Sequence, residues 1–384
     1  MKVHFALPLC LFTALLTVAL STGSVLFFML ALLVLLAVLS GLLSVLWAAA
    51  TLTVTAELAD RTLRRGDQTR LRLTARHRCL LPIAPLQLVL SSPASARREI
   101  RLRDIPGRLQ TLNMPIHAAH VGVYTTGIES CAVEDLLGIF SKTLRPEAAH
   151  FELVVLPRTF DTEPLTLTPG DPGSEIMARA TEDLSAPSDV RAYQPGDAMK
   201  KIHWKLSLRR GEPTVRKFDE PILQDVLVLM DCSRPPSWGH PQAEADLRDC
   251  LLETAASVYT DQMRAGHPVR LPLSGSHPVE LERAMGLPIA LENLARVDFS
   301  ESDRFERVLS LESRRLRKVG CTVVIAARLT SAMVDIMISM RRMGPAIRLY
   351  LITFAPDDAN VAPLAARLRR SGVEVTCVSP EASA

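Results

Sequence analysis

The chain has 384 residues, 48% hydrophobic and 22% charged, and an apolar share of that size excludes a mostly disordered polymer. Its 44 basic and 41 acidic residues leave a net charge of +3, which excludes a global field aimed at nucleic acid. Residues 3–56 carry no Asp, Glu, Lys or Arg, so a simple soluble protein is excluded as well.

The first 50 residues read as a transmembrane hairpin with spans at about 5–21 and 25–47, joined by the turn-forming Ser21-Thr22-Gly23-Ser24. Val25–Trp47 is long enough for a hydrocarbon core of about 30 Å. Its Leu, Val and Phe side chains favour insertion by roughly 5–10 kcal/mol. The stretch Phe5–Leu20 is short for a span. It also fits the apolar core of a signal peptide with Lys2 as the positive region, but the second span follows too closely for cleavage between them to be the simpler reading. Beyond the second span come Arg61, Arg64, Arg65, Arg70, Arg72, Arg76 and Arg78, against Asp67 alone over 61–78. Such an excess places the body on the cytoplasmic side of the inner membrane, with the lipid bilayer as its first partner. The seven cysteines are scattered and form no C-x-x-C pair, as expected of reduced, structural thiols.

Residues 51–157 show short alternating segments at 52–58, 69–74, 86–90, 99–103, 109–116, 122–133 and 151–156, with Gly, Pro and Asp in the gaps. That pattern predicts an antiparallel, β-sandwich-like domain. Tyr124 and the segment Asp135-Leu-Leu-Gly-Ile-Phe140 read as structural: a buried ring and a tight turn. His117 and His120 lack a third ligand nearby in sequence.

Residues 158–190, rich in Pro, Gly, Asp, Ser and Thr, read as a linker. A basic signature at 191–223 follows. From Arg191 to Lys217 there are eight Lys or Arg and two acids. Pro195-Gly196 predicts a turn. Asp197 is the expected N-cap of a helix running to about Ser207, with Ile202 and Leu206 inward and Lys201 and Lys205 sharing a face. Three readings stay open: an anion site of Arg191, Lys201, His203 and Lys205; a docking surface for an acidic partner; or a solvated face with Tyr193 and Trp204 as core anchors.

Residues 224–384 alternate strand and helix patterns: strands at 225–230, 269–273, 321–326, 346–354 and 373–378, and helices at 243–265, 305–319, 331–343 and 362–371. Such alternation predicts a mostly parallel, doubly wound α/β sheet, whose ligands sit beyond the strand C-terminal ends. Asp231-Cys-Ser233-Arg-Pro235 occupies that position after the first strand. No G-x-S-x-G, Walker A, G-x-G-x-x-G or H-E-x-x-H motif is present.

The run R-x-Y-x-P-G-D-x-x-x-x-I-H-W-K, carried by Arg191, Tyr193, Pro195, Gly196, Asp197, Ile202, His203, Trp204 and Lys205, closely resembles the signature of the domain-of-unknown-function 58 family. G-x-Y at 122–124 and D-x-L-G-I-F at 135–140 are similar to that family's upstream region. The resemblance implies a membrane-anchored protein whose C-terminal part is similar to a von Willebrand factor type A domain and which is associated with MoxR-type AAA+ ATPases. Such a domain holds magnesium through D-x-S-x-S. Here Asp231 and Ser233 remain, Pro235 replaces the second Ser, and the loop after the strand at 321–326 has no Asp before Asp335, which leaves too few oxygen ligands for a firm site.

The expectation is thus a multi-domain, non-enzymatic, envelope-related interaction or scaffold protein. It needs no cofactor, takes no nucleic acid, and has its signature as the partner-binding surface. Two rivals stand beside it: an enzyme or sensor binding an anion at Arg191, His203, Lys205 and Asp231, and magnesium-dependent adhesion through Asp231 and Ser233. Partner, client and oligomeric state are not encoded in any motif.

Overall fold

The computed structural model describes residues 2–3, 6–81, 83–92, 95–102, 110–146, 150–162, 189–194, 202–217, 225–236, 241–274, 279–282, 285–299, 304–316 and 319–380. The chain divides into two compact units, Met1–Leu156 and Pro157–Ala384.

The first unit opens with a two-residue strand β1 (Lys2–Val3) and two helices, α1 (Ala6–Thr22) and α2 (Val25–Thr51). They are joined by a turn in which Gly23 adopts φ +63°, a left-handed value that favours glycine. The two helices pack on each other. At 27 residues, α2 is long and apolar enough to cross a membrane, whereas α1 is shorter. The sequence ends the second span at Trp47, but the helix runs one turn further.

Strands β2 (Thr53–Leu58), β3 (Thr62–Arg64), β4 (Gln68–Arg76), β5 (Leu86–Ser92), β6 (Ser95–Leu102), β7 (Gln110–His117), β8 (Gly122–Glu134), β9 (Phe140–Leu144) and β10 (His150–Leu156) follow. They form two sheets. One is β2-β4-β7; in the other, β8 is the hub, pairing with β5, β9 and β10, while β6 extends β5, β3 extends β10 and β1 extends β9. All pairs are antiparallel except β3 with β10. Alternation dictates the core. Leu71 and Leu73 of β4 face Leu88 and Leu90 of β5, Ile128, Cys131 and Val133 of β8, and Leu153 and Val155 of β10 in one buried cluster. Burial pushes the Cys131 thiol up to about 12, which keeps it an unreactive thiol. Tyr124 is half-buried and donates to the His120 carbonyl at 3.1 Å. Asp135 is buried and closes its turn twice over: Oδ1 accepts from the Phe140 amide at 2.6 Å and Oδ2 from the Leu137 amide at 3.1 Å.

The second unit begins earlier than a free linker would allow. The Phe160 amide donates to Ser257 Oγ at 3.0 Å and the Thr162 amide to Asp261 at 2.8 Å, so residues up to 162 lie along a helix of the α/β sheet. The rest of the expected linker, 163–188, falls outside the described residues. The order is then β11 (Asp189–Ala192), α3 (Trp204–Arg210), β12 (Thr214–Lys217), β13 (Asp225–Met230), α4 (Pro241–Arg264), β14 (Val269–Leu273), β15 (Val279–Glu282), α5 (Leu287–Ala295), α6 (Phe305–Ser313), β16 (Val319–Ala326), α7 (Ser331–Arg342), β17 (Ala346–Ile352), α8 (Ala362–Arg370) and β18 (Glu374–Val378). The main sheet has the order β15-β14-β13-β16-β17-β18. It is parallel throughout except for edge strand β15. Leu227 and Leu229 of β13 join Val324, Leu349 and Leu351 under α6, α7 and α8, while α4 packs against β13, β14, β16 and β17. The helix expected over 305–319 stops at Ser313, because Val319 already begins a fully buried strand.

Candidate functional site: the signature hairpin and the sheet switch point

The signature is built around Val215. β11 and β12 form an antiparallel hairpin in which Arg191 lies opposite Val215, and Ile202 bridges to Val215 from the other side. The Tyr193 amide bonds to the Pro213 carbonyl and the His203 amide to the Thr214 carbonyl, both at 2.8 Å. The two ends of the signature, some ten residues apart in sequence, are therefore held on either side of one short strand. Ile202 and Val215 are buried and Tyr193 is half-buried. Pro195, Gly196, Asp197, Lys200 and Lys201 lie outside the described residues, as does the Arg191 side chain.

The helix after this bridge differs from the expected one. It starts at Trp204, and its N-cap is His203, whose Nδ1 accepts from the Leu206 amide at 3.3 Å; the expected Asp197 cap and Lys201 lie outside the described residues. Ser207 ties the helix down, its Oγ accepting from the Thr214 amide at 2.8 Å. Gly211 ends it at φ +76°. With Ser207 buried and Leu206 half-buried, the opposite face points to solvent. Trp204 is 63% exposed and Leu208 84% exposed. At a spacing of four they share that face, and Lys205, Arg209 and Arg210 are exposed around them. Trp204 is thus no core anchor. Leu208 was missed by the sequence reading, although its spacing from Trp204 was available.

Asp231 follows β13, and the parallel strands run in the order β14-β13-β16-β17-β18, or 2-1-3-4-5 in chain order. The crevice of such a sheet opens at the C-terminal ends of its first and third strands, here β13 and β16. Asp231 belongs to the first and Arg328 follows the third. Asp231 is buried, its Oδ1 accepts from the Ser233 amide at 3.0 Å and from the Ser233 hydroxyl, and Arg328 Nε lies 3.4 Å from Oδ2. Arg328 also donates to Ser233 Oγ. Burial raises the Asp231 carboxyl above its ordinary value, opposed by the Ser233 hydrogen bonds and the Arg328 charge; nearby Glu306 pushes the same way as burial. Thr330 caps α7 and donates to Glu306 at 2.9 Å. Arg328 thus engages both residues, Asp231 and Ser233, that a cation would need, and buried Pro235 adds no oxygen side chain.

His203 is engaged in its cap and Asp231 with Ser233 and Arg328. Of the expected anion set, His203 and Asp231 have these partners, while the Arg191 side chain lies outside the described residues.

The parallel order and its switch point define an α/β unit of the doubly wound class, carrying a basic hairpin in front of its first strand. Residues 189–344, less than half of the chain, match the family model described as "Protein of unknown function DUF58", which supports the family read from the signature. No curated protein matches the chain. Among solved structures, it is similar to Spo0M, a sporulation control protein from Bacillus subtilis, at 13% identity and a TM-score of 0.16, covering 38% of this chain and 58% of that one. It is also similar to Cwp6 from Clostridium difficile, at 7% identity and a TM-score of 0.20, covering 86% and 53%. The chain spans little more than half the length of either, and at these scores neither carries an argument about fold or function.

Proposed function

We propose that the protein is a membrane-anchored interaction or scaffold protein of the bacterial inner membrane. Its body faces the cytoplasm and docks an acidic, partly apolar partner on α3. The observation that carries this reading is the exposed pair Trp204 and Leu208, set among Lys205, Arg209 and Arg210 on one seven-residue helix inside the signature. An exposed Trp beside cationic side chains is the composition of a binding anchor. The family resemblance makes a MoxR-type AAA+ ATPase the first partner to try, in envelope-related assembly. On this reading the first unit is a β-sandwich-like support and the second a von Willebrand factor type A-like domain whose metal site has lost its ligands. The test is binding of the purified full chain in detergent to a purified MoxR-type ATPase. The double variant Trp204→Ala/Leu208→Ala should lose binding without losing thermal stability. Unchanged binding overturns the proposed surface.

A second reading is favoured by one observation, the place of Asp231, Ser233 and Arg328 at the sheet switch point. There the protein senses an anionic ligand through the outer side of Arg328, which is exposed. Titration with inorganic phosphate or a dicarboxylate, read as a thermal shift that vanishes in Arg328→Met, separates this reading from the first. Magnesium-dependent adhesion predicts a thermal shift with magnesium; none is expected while Arg328 holds Asp231.

A further inference from the structure

Within the first unit, two loops grip α2 at the same height. The ideal Cβ of a side chain at Gly41 would meet Asp135 Oδ2 at 3.0 Å, so the Asp135 turn touches the helix where it has no side chain. Cys79 Sγ donates to the Ser44 carbonyl at 3.6 Å. Gly41 and Ser44 are one turn apart, about 4.5 Å along the axis. Gly41, Ser44, Val45 and Ala48 are the buried residues of this half of α2. Val45 packs on Ile139 and Phe140, and Ala48 belongs to the main core of the β unit.

The same two loops carry large apolar side chains that face away from that core. Leu80 is 76% exposed, Leu136 67% and Leu137 61%. The exposed apolar side chains of α2 include Leu33, Leu36, Leu39 and Leu43, and the two loops meet that helix at Gly41 and Ser44. The height fits a bilayer edge. Counting from Val25, a helix has risen about 30 Å, one hydrocarbon thickness, when it reaches Ser44. One turn later comes the partly exposed Trp47, the residue type enriched at membrane interfaces. Two turns later the Arg78 amide bonds to Thr51 Oγ1 at 3.2 Å and Arg76 pairs with Thr53. Both arginines are exposed, at the height of lipid headgroups. The start of α1 meets the same turn, because Lys2 and Val3 pair with Ser141 and Phe140.

We propose that loops 77–81 and 135–140 form an apolar collar around α2 that inserts Leu80, Leu136 and Leu137 into the bilayer interface. The collar seats the β unit directly on the membrane and fixes the angle at which the helix leaves it. The inference rests on reading α2 as a membrane span. Its occupant is lipid, because the leucines are exposed on loops that touch the lipid-length helix at Gly41 and Ser44, between the end of its first 20 residues and the arginine level.

The test uses the full chain reconstituted in phosphatidylcholine–phosphatidylglycerol vesicles, with or without brominated acyl chains that quench tryptophan. Leu33→Trp probes the helix, and Leu80→Trp and Leu137→Trp probe the collar. Emission is taken as the increase over the parent, whose Trp47, Trp204 and Trp238 form the background. The expected result is that the added emission at 33 and at either collar position is lost in brominated vesicles and shielded from aqueous iodide. Quenching at 33 with none at 80 and 137 overturns the collar and leaves the anchor standing. If the unquenched collar probes are also shielded from iodide, a second protein copy covers them, which overturns the lipid assignment. No quenching at 33 overturns the anchor reading and the collar with it. Two collar positions keep the test decisive if one substitution disturbs folding.

Discussion

At the scale of single residues, Arg328 shows how one side chain changes what a site can do. Asp231 has the position and the serine neighbour of a cation ligand, yet its second oxygen faces a guanidinium 3.4 Å away. Removing one partner of such a pair leaves an uncompensated buried charge, which costs more than the pair contributes. Arg328→Met is therefore expected to lower stability by about 1–3 kcal/mol. Asp231→Asn should cost little, because the amide oxygen still accepts from Ser233 and the freed guanidinium can be hydrated. Combining the two should recover most of the loss. The pH dependence has a definite sign. The folded-state carboxyl titrates above its ordinary value of 3.8. As pH rises from 3.8 toward that higher value, the unfolded chain ionises first and the native state loses stability. Asp231→Asn should flatten this fall, and Arg328→Met should steepen it. Thermal melts of the full chain in detergent between acidic and neutral pH check all three; a double variant no better than Arg328→Met would refute the pairing argument. Trp204→Ala belongs at this scale too. A ring 63% exposed should change stability by no more than about 0.5 kcal/mol when truncated, whereas a core ring would cost about 3–5 kcal/mol.

At the scale of elements, the joint between α2 and the Asp135 turn sets the next prediction. The Asp135 carboxylate accepts two backbone amides, so it cannot swing aside for a new side chain without opening its turn. Gly41→Leu, which in an unobstructed helix would gain about 1 kcal/mol of propensity, is expected instead to lower the melting temperature of the full chain. Gly138 in the same turn has φ +69° and open space around a Cβ; Gly138→Ala should cost about 1 kcal/mol through backbone strain alone. Much of this architecture was legible in the residues. The alternations around Leu71 and Leu88 and the continuous apolar run at 226–230 report burial on one or two sheet faces, and burial is what the hydrophobic pattern encodes. β1, β3 and β15 were not legible, since strands of two to four residues have no periodicity to read. Neither was α5, a nine-residue helix that opens on Gly286-Leu-Pro288. The signature helix begins at Trp204 because Ile202 is drawn into a bridge with Val215, a long-range pairing that local sequence does not announce. The Asp231 loop was recognisable, but its partner Arg328 is 97 positions away and was visible only as a missing carboxylate.

At the scale of the whole molecule, topology follows from where the two ends of the hairpin are held. β1, just before α1, pairs with β9, and α2 packs on β8 and β9 before leading into β2. One strand of the β unit thus receives both the entrance and the exit of the hairpin. If α2 spans the membrane, α1 must return across it, although its 17 residues give only about 25 Å of helix; the collar at Leu80, Leu136 and Leu137 lets the bilayer thin around it at modest cost. On the proposed reading, the seven arginines over 61–78 put the shared side in the cytoplasm. Reporter fusions decide this. Alkaline phosphatase, active only outside the cytoplasm, should be silent when fused after Ala384 or before Met1 and active when inserted between Thr22 and Gly23. Activity at Ala384 would reverse the orientation and remove any cytosolic ATPase as a partner. Silence at the insertion site, with Ala384 silent too, would show that neither helix crosses, leaving the apolar hairpin lying in the interface.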